Sequence, residues 1–306
     1  MNVMILPEFP QFREIDLASR ESINECLSRY SLEASEYTFT NLFAFRDAYN
    51  FKLSLLKDNM MILKDTEPVS LFCPVGNREM STVLSEGLDY LDAYPGESCF
   101  ERIPESFVKT HLMNDEKFIL MEERSHFDYL YDARELTELK GRKFHDKKNK
   151  ANKFRNSYEY KYSTLTADLI DECLAFEHHW CEVRECHKYY GLHRERCAIL
   201  EMLNNFESLN IKGGIIRVDN KIAALTLGEK LLPDTFVIHI EKAHSDMPGL
   251  YQVINQEFLM HEASGVRFIN REQDLGIEGL RTAKMSYNPV QFVKKYKLSM
   301  ARRGKI

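Results

Sequence analysis

The sequence lacks the long apolar run that a membrane-spanning helix requires, since no uninterrupted apolar stretch approaches about 18 residues. Glycine and proline are scarce, at 13 and 9 of 306 residues, which excludes collagen-like chains and most disordered ones. The first residues carry neither a basic region nor an apolar core, so we expect no secretory signal. The composition, 44% hydrophobic and 29% charged, predicts a globular protein long enough for two domains.

The sequence also lacks the usual signatures of disulfide frameworks, metal sites and nucleotide loops. Its seven cysteines are odd in number and scattered, which favours reduced thiols in a cytoplasm. The stretch from His178 to His193 is rich in His and Cys but has no finger or ribbon spacing, so we predict no metal site. P-loop, Rossmann and nucleophile-elbow fingerprints are missing.

Positive charge is concentrated in one short segment of a chain whose net charge is −6. Residues 140–155 contain eight Lys or Arg and one Asp, and helical spacing places Phe144 and Ala151 on one face. We predict a helix whose exposed face binds a polyanion such as tRNA, through Lys143, Lys147, Lys148, Lys150 and Lys153. A solvated helix surface that pairs with the acidic remainder is the alternative.

Both halves of the chain show the same order of predicted elements. Each has helices, a hairpin, further strand, an amphipathic helix and a closing strand. Asp58-Asn59 and Asp219-Asn220 are the matching hairpin turns, although Asp-Asn is also a common turn pair. We therefore predict an α+β protein formed by duplication.

The predicted domains are residues 1–126 and 127–306, and any active site is expected in the second. Its elements include a helix over 249–263 that ends at Gly265, a buried strand over 266–270 and a last strand over 290–297.

Residues 263–289 carry a specific family resemblance. The helix ends at Gly265, a buried strand Phe268-Ile269-Asn270 follows, and Gly279-Leu280 leads to Lys284 and Tyr287. This region resembles Fem-type aminoacyltransferases and phosphatidylglycerol lysyltransferases. Together with residues 129–154, it is similar to uncharacterised bacterial proteins with a phosphatidylglycerol lysyltransferase-like C-terminal domain, over roughly residues 127–297.

The resemblance implies two tandem GNAT-like domains, each a mixed and mostly antiparallel sheet flanked by helices. It also implies transfer of an acyl or aminoacyl group. Acetyl-CoA-dependent enzymes of this fold hold the pyrophosphate in a Gly-rich turn at a helix N-terminus. Residues 244–250 offer one Gly, a Pro without an N–H and an Asp that repels phosphate. The departure favours aminoacyl-tRNA as the donor over a CoA thioester.

Transfer by direct attack requires a base and donors for the oxyanion. Glu241 ends a predicted strand that opens onto the cleft of this fold, and it is the candidate base. Asp274 and Tyr287 are the other catalytic candidates, with Tyr287 as proton donor to the leaving group. The candidate substrate-binding residues are His239, Asn270, Arg271, Glu278, Arg281, Lys284 and Trp180. In the alternative interpretation, Asp274 caps the next helix and Arg281 pairs with Glu278.

The sequence thus predicts a cytoplasmic transferase that moves an aminoacyl or acyl group to an amine or hydroxyl acceptor without a covalent intermediate. A CoA-dependent N-acetyltransferase is the alternative within the same class. A non-catalytic protein that binds nucleic acid or anionic lipid is the alternative from another class.

Overall fold

The computed structural model describes residues 6–113 and 115–301. These residues form two compact units. Unit 1 comprises the described residues up to Phe127 and from Val293 onward, and unit 2 comprises Asp128–Phe292. Within the described ranges, no helix is long and apolar enough to cross a membrane.

Both halves of the chain contain runs of helices and runs of strands. The first half contains the strands β1 (Arg13–Glu14), β2 (Phe51–Leu56), β3 (Asn59–Lys64), β4 (Ser70–Phe72), β5 (Phe100–Pro104) and β6 (Phe118–Glu122), and the helices α1 (Arg20–Tyr30), α2 (Phe39–Ala44), α3 (Arg46–Tyr49), α4 (Met80–Leu91) and α5 (Glu105–His111).

The second half contains the remaining strands and helices. Its strands are β7 (Asp128–Asp132), β8 (Tyr160–Thr164), β9 (Lys212–Val218), β10 (Lys221–Leu232), β11 (Thr235–Ala243), β12 (Phe268–Asn270), β13 (Gln291–Val293) and β14 (Lys295–Met300). Its helices are α6 (Ala133–Glu138), α7 (His145–Ser157), α8 (Ile170–Val183), α9 (Tyr190–Asn204), α10 (Phe206–Leu209), α11 (Leu250–Glu262) and α12 (Glu278–Met285).

The two sheets have the same strand order. Over the described residues, the first sheet runs β1-β2-β3-β4-β5-β14-β6 and the second runs β8-β9-β10-β11-β12-β7-β13. In each, a strand, a helix and a second strand parallel to the first follow an antiparallel hairpin. The predicted fold, two tandem GNAT-like halves of class α+β, is confirmed.

The last predicted strand is placed differently. One strand was predicted over 290–297, but the structure has β13 and β14 in different sheets. β14 pairs with both β5 and β6, so this strand completes the sheet of unit 1. β7 occupies the equivalent position beside β12 in unit 2. Hydrophobic alternation cannot predict this placement, because it indicates a strand but not the strand with which it pairs.

The hairpin turns match one residue away from the predicted position. Asp219 and Asn220 both adopt positive φ, as do Lys57 and Asp58, which fits a two-residue primed turn. The equivalent of Asp219-Asn220 is therefore Lys57-Asp58, and the match to Asp58-Asn59 is wrong. Asn59 begins β3, and its side chain donates to the carbonyls of Leu56 and Lys57.

α11 anchors the core of unit 2. Leu250, Val253, Ile254, Phe258 and Leu259 recur at helical spacing and are fully or nearly fully buried. Each such side chain contributes about 1.5–3 kcal/mol when it leaves water. The core thereby fixes α11 beneath β9, β10 and β11.

The prediction of reduced thiols is wrong for one pair. Cys181 and Cys186 form a disulfide between buried positions. α8 ends at Val183, and Glu185 then adopts a left-handed conformation that folds the chain back onto the last turn of the helix. This local reversal brings the two Cα atoms to 5.1 Å.

Gly249 tests the packing at the start of α11. A Cβ there would lie 2.1 Å from the carbonyl oxygen of Lys150, and the φ of +99° is left-handed. We expect Gly249→Ala to lower the free energy of unfolding by ~2–5 kcal/mol, from backbone strain and overpacking together. The fluorescence of Trp180, the single tryptophan, reports unfolding in urea.

Gly265→Ala is the matched control, since Gly265 also has a positive φ but a Cβ added there would meet no atom within 4 Å. It should cost only the backbone strain, ~1–2 kcal/mol. Equal losses for the two variants would contradict the packing of α7 on α11.

Candidate functional site

The parallel pair β11 and β12 is short. It extends from Thr235–Phe268 to Val237–Asn270. Beyond it, β11 continues to Ala243 along β10, whereas Arg271 and Glu272 hydrogen-bond to the backbone of Tyr129 in β7. The two chain segments therefore follow different neighbours and leave a gap in the sheet of unit 2.

Side chains bridge this gap where backbone hydrogen bonds end. His239 and Glu241 lie two residues apart on β11 and point to the same face. Nδ1 of His239 is 2.8 Å from Oε1 of Glu272, and Nη2 of Arg271 donates to Oε1 of Glu241 at 2.7 Å. We call the residues His239, Glu241, Arg271 and Glu272 the gap cluster.

The Glu241–Arg271 ion pair is largely buried, with 10% and 13% of the two side chains exposed. The second carboxylate oxygen of Glu241 accepts from Nδ2 of Asn255 on α11 at 2.7 Å. Burial by itself would lower the pKa of Arg271, but the Glu241 carboxylate raises it above the ordinary value. Nη1 of Arg271 is buried and makes no hydrogen bond of good geometry, although the Tyr287 hydroxyl lies close enough to the guanidinium for each group to shift the pKa of the other.

His239 is held between two carboxylates. Its Nε2 is 3.0 Å from Oε1 of Glu229 on β10, and its side chain is 1% exposed. Burial opposes the charge, but the hydrogen bonds to Glu229 and Glu272 raise the pKa of His239 to about 9. Burial raises the pKa of Glu272, and His239 partly offsets this rise. His239 is therefore protonated and positively charged at neutral pH.

Lys284 ties α12 to the loop that follows β12. Its ammonium donates to the carbonyl oxygens of Arg271 and Gln273, at 2.5 and 2.7 Å. Tyr131 on β7 donates to the carbonyl oxygen of Lys284 itself. Burial lowers the pKa of Lys284 to about 8.

Asp274 is buried, and several donors surround its carboxylate. Tyr129 donates to Oδ2 at 2.5 Å, Arg281 donates to both oxygens, and the Gly276 N–H donates to Oδ1. Burial would raise the pKa of Asp274, but these hydrogen bonds hold it well below the ordinary range. The pairing of Arg281 with Glu278, which belonged to the alternative interpretation, is wrong, because Arg281 pairs with Asp274. Glu278 is exposed at the start of α12.

Tyr287 lies beside the gap cluster and between two cations. The guanidinium of Arg271 lies 4.7 Å from its ring centroid and the ammonium of Lys147 lies 4.5 Å from it. The hydroxyl accepts from Nε2 of Gln252 on α11 at 2.9 Å. Burial raises the pKa of Tyr287, so the phenol keeps its proton at neutral pH.

α7 confirms the predicted basic helix but not all of its exposed face. Phe144 and Ala151 are buried as predicted, and so is Lys147, which was predicted to be exposed. Lys147 lies three residues after Phe144 and four before Ala151, so helical geometry places it on the inner face. Burial lowers the pKa of Lys147.

The other predicted polyanion-binding lysines are exposed. Lys143 is paired with Glu135 and Lys150 with Asp146, while Lys148 and Lys153 make no ion pair with the described residues.

Of the two remaining predicted residues, Trp180 lies apart from the gap cluster, whereas Asn270 hydrogen-bonds to the loop that carries Arg271 and Glu272. Trp180 donates to the carbonyl oxygen of Ala243 and packs under the ammonium of Lys242, whose side chain points to the face of β11 opposite Glu241. Asn270 is buried; it donates to Asp128 and accepts from the N–H of Glu272, which fixes the loop.

Sequence reasoning missed Glu272, which belongs to the gap cluster, Glu229 and Asn255, which hydrogen-bond to that cluster, and Gln252, which hydrogen-bonds to Tyr287. Glu272 follows the predicted Arg271 in the sequence, and this proximity could have identified it. Glu229, Asn255 and Gln252 reach the site only through long-range packing. Among the described residues, no group of three or more His, Cys, Asp or Glu side chains is arranged to hold a metal ion.

The charge on His239 predicts a pH dependence of stability. Its folded pKa, about 9, exceeds the ordinary value of 6.5, so its stabilising effect is complete below pH 6.5 and is lost as the pH rises through 9. We expect the contribution of His239 to the free energy of unfolding to fall by on the order of 3 kcal/mol across this range. Urea titrations followed by Trp180 fluorescence measure it.

His239→Gln should remove most of this decrease, and His187→Gln, at an exposed position, should preserve it. The same decrease in wild type and His239→Gln would show that another group titrates.

Comparison with known proteins places the chain in a family. Residues 28–299 match the family model described as "Phosphatidylglycerol lysyltransferase, C-terminal". No curated protein matches the sequence. A conserved protein of unknown function from Bacteroides thetaiotaomicron VPI-5482 is 35% identical, with a TM-score of 0.87 over 97% of this chain and 100% of that one.

Two more distant structures share the fold. The C-terminal domain assigned to a lysylphosphatidylglycerol synthetase from Agrobacterium fabrum is 13% identical, with a TM-score of 0.65 over 92% of each chain. The L-PGS of Bacillus licheniformis is 13% identical, with a TM-score of 0.64 over 98% of this chain and 95% of that one. The match over residues 28–299 shows that this chain belongs to the family of phosphatidylglycerol lysyltransferase C-terminal domains, which are of the transferase class.

Proposed function

We propose that this protein transfers an aminoacyl group from aminoacyl-tRNA to a hydroxyl or amine acceptor, in the cytoplasm, at the gap cluster of unit 2. The observation that carries the proposal is the buried Glu241–Arg271 pair beside Tyr287, in which Nη1 of Arg271 makes no hydrogen bond of good geometry. A proton acceptor, a cationic donor and a neutral acid therefore adjoin one another. Phosphatidylglycerol, named in the family description, carries a glycerol hydroxyl of the proposed acceptor class.

Each group has a defined part in direct attack on the ester carbonyl. The Glu241 carboxylate accepts the proton of the attacking hydroxyl or amine. The N–H groups of Arg271 stabilise the oxyanion that forms on the carbonyl, in a site from which water is largely excluded. The ester C–O bond then breaks, and the Tyr287 hydroxyl protonates the departing ribose oxygen. Proton exchange with solvent restores Glu241 and Tyr287.

The hydrogen bonds of Tyr287 suit it to this part. Its oxygen accepts from Gln252, so its own hydrogen remains available to the leaving group. Asp274, by contrast, is buried and accepts hydrogen bonds from Tyr129, Arg281 and Gly276. We therefore assign Asp274 a positioning role: it fixes the loop between Arg271 and α12.

Packing at α11 supports a donor other than a CoA thioester. Gly249 stands at the N-terminus of α11, where a GNAT enzyme would hold the pyrophosphate, and α7 covers it closely. The outer face of α7 presents Lys148 and Lys153 to solvent, which supports a phosphate backbone as its partner.

Glu241→Gln tests the proposed base. We expect the rate of aminoacyl transfer from bulk aminoacylated tRNA to fall about 100-fold or more, because the amide cannot accept the proton. The acceptors are vesicles of phosphatidylglycerol and, separately, a small primary amine. Glu207→Gln, at an exposed position of α10, is the control and should keep the wild-type rate.

Retention of the rate by Glu241→Gln would exclude Glu241 as the base. Tight binding of CoA, with acetyl transfer and no aminoacyl transfer, would replace the proposed donor by a CoA thioester.

The outer face of α7 is tested by salt-dependent binding of tRNA. Replacing Lys148 and Lys153 by Gln should weaken binding and reduce the slope of log affinity against log salt by about 1 for each contact removed. Lys221→Gln, at the exposed first residue of β10, should change neither quantity. An unchanged slope in the double variant would place the tRNA contact elsewhere.

A further inference from the structure

Unit 1 has an open cavity of about 430 Å³ on the face of its sheet that meets the end of α4. Three aromatic rings line it, those of Phe12, Tyr90 and Tyr94. Tyr90 lies 5.7 Å from Phe12 and 5.5 Å from Tyr94 between ring centroids, and the two phenol oxygens are 2.8 Å apart. The rings thus form a connected wall that stays partly open to solvent.

Charged side chains from neighbouring strands line the same cavity. Glu14 on β1 lies opposite Lys52 on β2. The Lys52 ammonium, however, donates to Asp65 at 2.6 Å, and Asn50 also donates to that carboxylate. Glu14 is exposed and makes no ion pair with the described residues. One carboxylate at the cavity is therefore compensated, and a second is not.

This combination suits a cation that carries alkyl groups. Aromatic rings attract an ammonium that lies against them through their quadrupole. A carboxylate beside the rings adds Coulomb attraction. A phosphate or carboxylate ligand would instead meet the uncompensated Glu14 and the electron-rich ring faces.

We propose that this cavity is a binding site for an alkylammonium group, with the rings of Phe12, Tyr90 and Tyr94 as its wall and Glu14 as its counter-ion. The site belongs to unit 1 and is independent of the aminoacyl transfer proposed for unit 2. The first half of the chain thereby has a ligand-binding role of its own.

The test compares pairs of probes that differ in charge. Choline is titrated beside its neutral isostere 3,3-dimethyl-1-butanol, and L-lysine beside L-norleucine, into the full chain with ¹³C-labelled tyrosine. We expect one or both cations to shift the ring signals of Tyr90 and Tyr94 at millimolar concentration, and the neutral partners to leave them unchanged. A response to choline alone identifies a quaternary ligand, and one to lysine identifies a primary one.

Variants separate charge from shape. Glu14→Gln should weaken binding of the responding cation about five- to tenfold, while Glu21→Gln, on α1, should not. Tyr94→Leu keeps apolar bulk but removes a ring face, and should weaken binding by a similar factor. Equal binding of charged and neutral probes, no binding of either cation, or full affinity in Glu14→Gln would overturn the proposal.

Discussion

The parallel pairing of β11 with β12 stops after three residue pairs, and the arrangement of unit 2 depends on this limit. Had the pairing continued, backbone hydrogen bonds would have joined residues 238–243 to the chain after Asn270. Instead, the gap is bridged by side chains, and the His239–Glu272 and Glu241–Arg271 contacts take the place of the missing ladder. The same constraint that opens the sheet therefore collects charged groups at one edge.

Burying such a cluster costs free energy of folding unless each charged group has an opposite charge or a hydrogen-bond partner. A buried carboxylate or guanidinium without a partner would destabilise the fold by several kcal/mol. Unit 2 meets this requirement with Asn255 and Glu229, which come from α11 and β10. Nη1 of Arg271 is the exception, since it is buried and makes no hydrogen bond of good geometry. An unsatisfied donor beside an ion pair is the kind of local cost that functional sites retain.

α7 connects this interior to the outer surface of the same unit. Its inner face buries Lys147 and Ala151, next to the buried Phe144 that precedes the helix, and Lys147 extends over the ring of Tyr287. Its outer face carries Lys148 and Lys153 in solvent. A polyanion on the outer face and a reacting group near Tyr287 would thus contact one rigid helix. Gly249 permits this arrangement, because any side chain there would meet the backbone of α7.

The sequence predicted local structure well because periodicity and turn residues act locally. The α11 helix, its end near Gly265 and the Asp219-Asn220 turn follow from such signals. The placement of β14 in the sheet of unit 1 could not be predicted, since the apolar pattern of a strand does not determine which strand it pairs with.

For the site, the spacing and resemblance pointed to Glu241, Arg271, Lys284 and Tyr287, and the structure brings these side chains close to the gap. The partners of Glu241 could not be predicted, because Asn255 reaches it only through the packing of α11. The burial of Lys147 was predictable from its spacing to Phe144 and Ala151. Lys147 was nevertheless predicted to be exposed, because lysine is usually found at protein surfaces.

The assignment of the gap cluster as the transfer site is tested most directly by a crystal structure of the protein soaked with an adenosine that carries an aminoacyl group on a non-hydrolysable 3′-amide. We predict that the amide carbonyl lies beside Nη1 of Arg271 and that the 3′-nitrogen lies near the Tyr287 hydroxyl. Density for this compound at any other place, with the Glu241–Arg271 pair undisturbed, would contradict the assignment of the gap cluster as the transfer site.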